Sequence, residues 1–256
     1  MKKSILISAA AIMMAAACQA QSKAVSGYLT IKGNLSDVKD TLVLVGSEYD
    51  NPRGAKITDL VTKNGKFEYK VKLDKPKNLL FYRPFSQQDK KSVMMSGSIP
   101  AIPGETVEIK GTVTDFQIKG TGFYKQFANL HNITKGIQQV YFAENEKYSA
   151  KTQDTKDENV KKEAAKAYQD AIKAAQEKLT ADLKTYLQAH KNEEASAYIA
   201  SYLDTKDLDL VMNTLDPSIV NGRLSGIFDA VKARIKAQEM QKKAKEAVKD
   251  GKMAPD

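Results

Sequence analysis

The stretch Ile118-Lys-Gly-Thr-Gly-Phe-Tyr-Lys-Gln-Phe127 is where the hydrophobic pattern changes period, and it divides the 256-residue chain into two kinds of structure. Before it, from Ser26 to about Ile118, apolar and polar residues alternate in short runs. These are Tyr28-Leu-Thr-Ile-Lys32, Thr41-Leu-Val-Leu-Val45, Lys56-Ile-Thr-Asp-Leu-Val61, Lys66-Phe-Glu-Tyr-Lys-Val71, Asn78-Leu-Leu-Phe-Tyr82, Ser92-Val-Met-Met95 and Thr106-Val-Glu-Ile-Lys110. Turn residues separate them at Asp50-Asn-Pro52, Lys63-Asn-Gly65, Asp74-Lys-Pro76 and Ile102-Pro-Gly-Glu105. A period of two wets one face of each strand and buries the other. Regularly spaced strands of this kind predict an antiparallel β-sandwich or barrel-like domain over residues 27–122.

After the switch the spacing becomes three and four. Phe123, Phe127, Leu130, Ile137 and Tyr141 predict one helix; Val160, Ala164, Tyr168, Ile172, Ala175, Leu179, Leu183 and Tyr186 predict a longer one. Residues 149–166, rich in Lys, Asp, Glu and Thr, read as a solvated turn and helix start. Asp216-Pro217 interrupts the pattern, and a last helix follows whose apolar stripe (Leu224, Ile227, Phe228, Val231) fades near Ile235. Beyond it, Lys242-Lys-Ala-Lys-Glu-Ala-Val-Lys249 is charge and alanine, a segment that projects into solvent. The expected fold class is therefore α+β: an antiparallel β domain followed by a helical region, residues 123–249.

The chain opens with an export signal. Lys2 and Lys3 form a positive start, and residues 5–17 form an apolar run of 13 residues, too short to span a bilayer. Ala15-Ala-Ala-Cys18 resembles a lipoprotein cleavage site, at which the Cys18 thiol receives lipid and becomes the new N-terminus; cleavage after Ala17 or Ala20 is the alternative reading. The position three before the cysteine, usually leucine, is Ala15. Residues 1–20 are thus assigned as signal peptide, with Cys18 as lipidation site and a periplasmic or outer-membrane location expected. Cys18 is the chain's one cysteine, so it has no disulfide partner within the chain.

Without Lys2 and Lys3 the chain has 38 basic and 31 acidic side chains, a net charge of +7. Lysine is spread along the helices and only Arg53, Arg83, Arg223 and Arg234 supply guanidinium groups, a pattern that argues for solvated helix faces and against nucleic-acid binding.

Four segments, Tyr28-Leu-Thr-Ile-Lys-Gly33, Gly65-Lys-Phe-Glu-Tyr69, Pro103-Gly-Glu-Thr-Val-Glu-Ile-Lys-Gly111 and Gly120-Thr-Gly122, resemble in order and spacing the DUF4369-type N-terminal region of Bacteroidetes TlpA/thioredoxin-like envelope proteins. The resemblance covers residues 27–122 directly, and Gly251-Lys-Met-Ala-Pro-Asp256 looks like the entry to a redoxin domain. It implies an envelope protein whose activity, thiol:disulfide exchange, would reside in a Cys-x-x-Cys motif. This chain holds no such motif. The expectation that follows is a non-catalytic cell-envelope binding or interaction module, without a cofactor, held at the membrane by lipid and meeting an envelope protein or a redoxin domain. Two alternatives stand beside it: a piece of an oxidoreductase without its redox domain, and a glycan or small-ligand binder.

No residues are assigned a catalytic or metal-binding role. His131 lies beside a helix stripe and His190 near a helix end, a poor zinc set without cysteines. The carboxylate pairs Glu193-Glu194, Asp157-Glu158 and Asp204 with Asp207 fall at polar helix ends, where capping explains them. Gly120-x-Gly122 before a helix could offer backbone N–H groups to an anion, although a strand-to-helix turn accounts for both glycines. Tyr82, Arg83 and Phe85 are the candidates for a surface groove.

Overall fold

The computed structural model describes residues 26–49, 54–84 and 96–249. Cys18, Phe85, the run Ser92-Val-Met-Met95 and the tail 250–256 lie outside them. The eight strands are β1 (Gly27–Leu35), β2 (Thr41–Ser47), β3 (Lys56–Val61), β4 (Lys66–Leu73), β5 (Lys77–Tyr82), β6 (Ser96–Ala101), β7 (Thr106–Gly111) and β8 (Phe116–Gly120). They form two four-stranded sheets, ordered β4-β1-β7-β8 and β3-β2-β5-β6, with no closure into a barrel. Pairing is antiparallel except between β1 and β7, which run parallel. The sheets meet face to face, with the rings of Phe81 on β5 and Phe116 on β8 5.1 Å apart. Leu29 and Ile31, Leu42 and Leu44, Leu79 and Phe81, and Val107 and Ile109 fill the space between as the buried half of each alternation.

Local chemistry explains the connections. At Asn64 and Gly65 φ is +51° and +74°, the pair of left-handed residues a tight reversal needs, and Lys63 bridges to Lys66 across it. Strand β6 begins at Ser96 and runs through Pro100, which lacks an N–H; it is tolerated because β6 is the edge strand of its sheet.

The helical half contains α1 (Gly122–Thr152), α2 (Glu158–Ala189), a 3-10 helix (Glu194–Ser201), a single 3-10 turn (Thr205–Asp207), α3 (Leu208–Thr214), α4 (Pro217–Val220) and α5 (Ser225–Lys249). Helices α1 and α2, of 31 and 32 residues, form a hairpin about 45 Å long at the usual rise per residue. Asp157 caps α2 by accepting the Asn159 N–H at 2.8 Å. Their apolar faces are deeply buried only near the sandwich: Phe123, Tyr124, Phe127 and Leu130 on α1, Leu183, Tyr186 and Leu187 on α2. Toward the tip only Ala164 and Ile172 are buried, so the hairpin extends from the body as an arm. The 3-10 helix and the first half of α5 complete the body, their Ala197, Ile199, Ile227, Phe228 and Val231 joining one continuous core with the strands. No described helix is long and apolar enough to cross a membrane.

Candidate binding cleft

The β-sandwich meets the helices at two places of opposite character. The first is closed. Arg223, between α4 and α5, grips Glu194 with two parallel bonds, Nε to Oε1 at 2.6 Å and Nη2 to Oε2 at 2.7 Å. The same guanidinium reaches the β domain, donating from Nη2 to Glu105 Oε1 at 2.7 Å and from Nη1 to the Pro103 carbonyl at 3.2 Å. Glu105 also accepts from the Thr121 hydroxyl at 2.9 Å and from the Phe123 N–H at 3.3 Å, at the start of α1. The anion position at that helix N-terminus is therefore taken by the chain's own carboxylate. Gly122 is required there: φ is +37°, and a Cβ would lie 2.6 Å from Glu105 Oε1. Burial pushes the Glu105 carboxyl up, but the bonds from Arg223, Thr121 and Phe123 outweigh it and hold the group below its ordinary value.

The second place is open. A cleft of about 580 Å³ lies between the sheet β3-β2-β5-β6 on one side and the 3-10 helix and α5 on the other. Ser47, Glu48 and Tyr49 at the end of β2, Asn78 on β5 and Ser98 on β6 form the sheet wall. Tyr198, Ser201 and Tyr202 line it from the 3-10 helix. The stripe of α5 facing it runs Ile227, Ala230, Val231, Arg234, Ala237, at the three- and four-residue spacing of one helix face. The alanines make the space: with no side-chain atom beyond Cβ, they leave the helix and the sheet apart.

Aromatic contacts anchor the cleft to the core. Tyr198 meets Phe127 edge-on at 5.3 Å, Tyr202 at 5.5 Å and Tyr49 at 6.3 Å between ring centroids. Burial pushes the phenols of Tyr49, Tyr198 and Tyr202 above their ordinary value, so all three stay protonated and able to donate. The Tyr49 hydroxyl is closed off from solvent and makes no well-aligned hydrogen bond among the described residues, although the Tyr198 hydroxyl lies close enough to perturb it. Two ionised groups border the cleft. Glu48 is neutralised by Lys75 at 2.8 Å and Lys77 at 3.6 Å. Arg234, exposed on α5, has no carboxylate of the described residues within ion-pair distance.

The residues singled out from the sequence fall elsewhere. Tyr82 and Arg83 are half-buried at the far end of β5 from Asn78 and do not line this cleft. His131 is a core residue, 6% exposed, stacked on Phe116 at 4.6 Å with its Nε2 3.0 Å from the Phe116 carbonyl, which requires the nitrogen to carry a proton and donate. Burial holds its pKa below the ordinary histidine value. His190 stacks on Tyr186 at 4.0 Å and meets Glu193 at 3.0 Å, while the nearby Ser196 hydroxyl is spent on the His190 carbonyl. The adjacent Glu193 and Glu194 face different partners, and Asp207 pairs with Lys184 at 2.8 Å. Among the described residues no three His, Cys, Asp or Glu side chains are grouped to hold a metal ion. Sequence reasoning passed over Glu105, Arg223 and the cleft tyrosines, since no local pattern marks residues that meet across more than a hundred positions.

No protein-family model matches the chain, and no curated protein matches it. Solved structures similar to part of it are toxins. One described as a trapped toxin is 11% identical over 38% of this chain and 23% of its own, at a TM-score of 0.23. Wild-type pneumolysin is 13% identical over 38% of this chain and 23% of its own, at 0.22. The isolated membrane-binding domain of pneumolysin is 13% identical over 38% of this chain and 96% of its own, also at 0.22. The chain thus spans about a quarter of the length of the first two. Similarity at this level carries neither fold nor function across.

Proposed function

We propose that this chain is a non-catalytic binding module of the cell envelope, anchored through lipid on Cys18, and that the cleft between sheet and α5 is where it binds. The observation that carries the reading is the cleft itself: a concavity of ligand size, mostly apolar, with a few convergent polar groups, one of them a buried tyrosine hydroxyl without a well-aligned hydrogen bond among the described residues. Of the expectations drawn from the sequence, it favours the small-ligand form of binding. The export signal and the resemblance to TlpA-like envelope proteins support the location.

Thermal melting of the purified protein against a panel of envelope-derived small molecules and sugars tests the binding, because a ligand selective for the folded state raises the midpoint by mass action. An upward shift is expected in the wild type and not in Ala230→Trp, whose indole fills the cleft. A panel that shifts neither protein, or both alike, refutes the reading. Location is tested separately: membrane-fraction protein with a lipid-sized mass increment beginning at Cys18, lost in Cys18→Ala, is expected, and an unmodified chain beginning at Gln21 refutes anchoring.

A further inference from the structure

We infer that the ligand of this cleft is a small amphipathic anion, its apolar body lying on the alanine and tyrosine walls and its carboxylate held by Arg234. The inference rests on the small-ligand reading and specifies its chemistry. Three features of the cleft select this class.

The walls are largely carbon. Ile227 and Val231, the Cβ atoms of Ala230 and Ala237 and the rings of Tyr198 and Tyr202 present apolar surface that gains by covering. A fully polar ligand would leave that surface unmatched.

The charges at the border do not cancel. Glu48 is already held by Lys75 and Lys77, whereas Arg234, on the cleft wall, has no counterion among the described residues. Its planar fork of donors fits a carboxylate through two parallel bonds. Lys232 and Lys236, two positions either side, turn away from this face of α5, so Arg234 is the cation that draws an anion to the cleft.

One hydrogen bond is missing inside. The Tyr49 hydroxyl, closed off from water, makes no well-aligned hydrogen bond among the described residues, a situation native folds rarely leave uncompensated. A ligand oxygen that displaces the Tyr198 ring would accept from it. The walls also carry Ser47, Asn78, Ser98 and Ser201, which can bond a neutral sugar, but such a ligand leaves Arg234 unpaired. An anion with an apolar body uses both unmet groups and the carbon surface at once.

The test compares phenylbutyrate with phenylbutanol, which share an apolar body and differ in charge. Binding is measured by titration calorimetry and by the resonances of carbon-labelled tyrosine rings in the purified protein. Phenylbutyrate is expected to shift the signals of Tyr49, Tyr198 and Tyr202 and to bind about tenfold more tightly than the alcohol. Arg234→Gln should abolish that preference without changing the melting temperature, and Tyr49→Phe should weaken the acid about threefold. Equal binding of acid and alcohol to the wild type, or wild-type affinity for the acid in either variant, overturns the anion assignment and leaves small-ligand binding standing. If neither probe moves a cleft tyrosine signal the assignment is overturned as well, and the thermal panel then decides whether binding at the cleft falls with it.

Discussion

The two contacts between the β-sandwich and the helices are built from similar materials and end in opposite states. Around Arg223 each polar group is matched: two carboxylates, a carbonyl, a threonine hydroxyl and a helix N–H complete one another's hydrogen bonding. Across the cleft, the Tyr49 hydroxyl makes no well-aligned hydrogen bond and Arg234 no ion pair among the described residues. A buried polar network contributes to the fold when it is complete, and one partner removed from it costs more than the pair contributed. An incomplete set contributes little to the fold and retains capacity for a ligand. The first contact is a latch and the second a receptor surface.

The sharpest way to break this contrast is at the latch. Arg223→Ala leaves Glu105 and Glu194 without their cation, and a loss of about 3 kcal/mol, roughly 10 °C in melting temperature for a chain of this size, is expected by calorimetry. Arg223→Met combined with Glu105→Gln and Glu194→Gln should recover much of it, because no charge is then stranded. The Glu105 carboxyl sits below its unfolded value, so its contribution is present above pH 4.5 and fades as the pH falls through the lower, folded value. Glu105→Gln should flatten that acid limb; a wild-type limb in the variant would show that Glu105 does not couple to folding.

A smaller effect is expected at Tyr124, whose hydroxyl donates to the Pro100 carbonyl and ties α1 to the edge strand β6. Tyr124→Phe strands that carbonyl and should cost about 1 to 2 kcal/mol in denaturant melts. His131 gives a pH signature of similar size. Its folded pKa lies below the unfolded 6.5, so the unfolded chain binds the proton first. Stability is complete above pH 6.5 and declines as the pH falls below it toward the folded value. His131→Gln, which can still donate to the Phe116 carbonyl, should reduce that slope; an unchanged slope would assign it to another group.

The smallest effect is the most informative about the cleft. Tyr49→Phe removes a hydroxyl that makes no well-aligned hydrogen bond among the described residues, so stability should change by less than about 0.5 kcal/mol or rise slightly. A loss of the size expected for Tyr124→Phe would mean that the Tyr49 hydroxyl is satisfied within the fold, and the difference between latch and receptor surface would narrow.

Particular segments show what was legible. Strand β3 could be read off Lys56-Ile-Thr-Asp-Leu-Val61 with its observed ends, since its β-branched residues lie between turn signals, although its alternation is broken and Ile57 and Val61 are exposed. Strand β6, Ser96-Gly-Ser-Ile-Pro-Ala101, could not: serine, glycine and proline give no strand preference, and it forms because β5 offers a ladder to pair with. The parallel pairing of β1 with β7 was equally hidden, because alternation marks which face is buried and not which neighbour is chosen. The stripe was visible from Phe123 to Tyr141 on α1 and from Val160 to Tyr186 on α2, while the last turns of α1, to Thr152, fell partly in a segment read as a solvated turn. That its outer half extends as an arm depends on where the sandwich ends.

By itself the sequence determined the class of the fold and the change from strands to helices near Gly120-Thr-Gly122, because periodicity acts over a few positions. Only the tertiary structure decided that Glu105 would occupy the head of α1, that Arg223 would join it to Glu194, and that Tyr49 and Arg234 would border one cleft. Arg223 lies 29 positions from Glu194 and 118 from Glu105 and bonds both at 2.7 Å, and such meetings are set by packing alone.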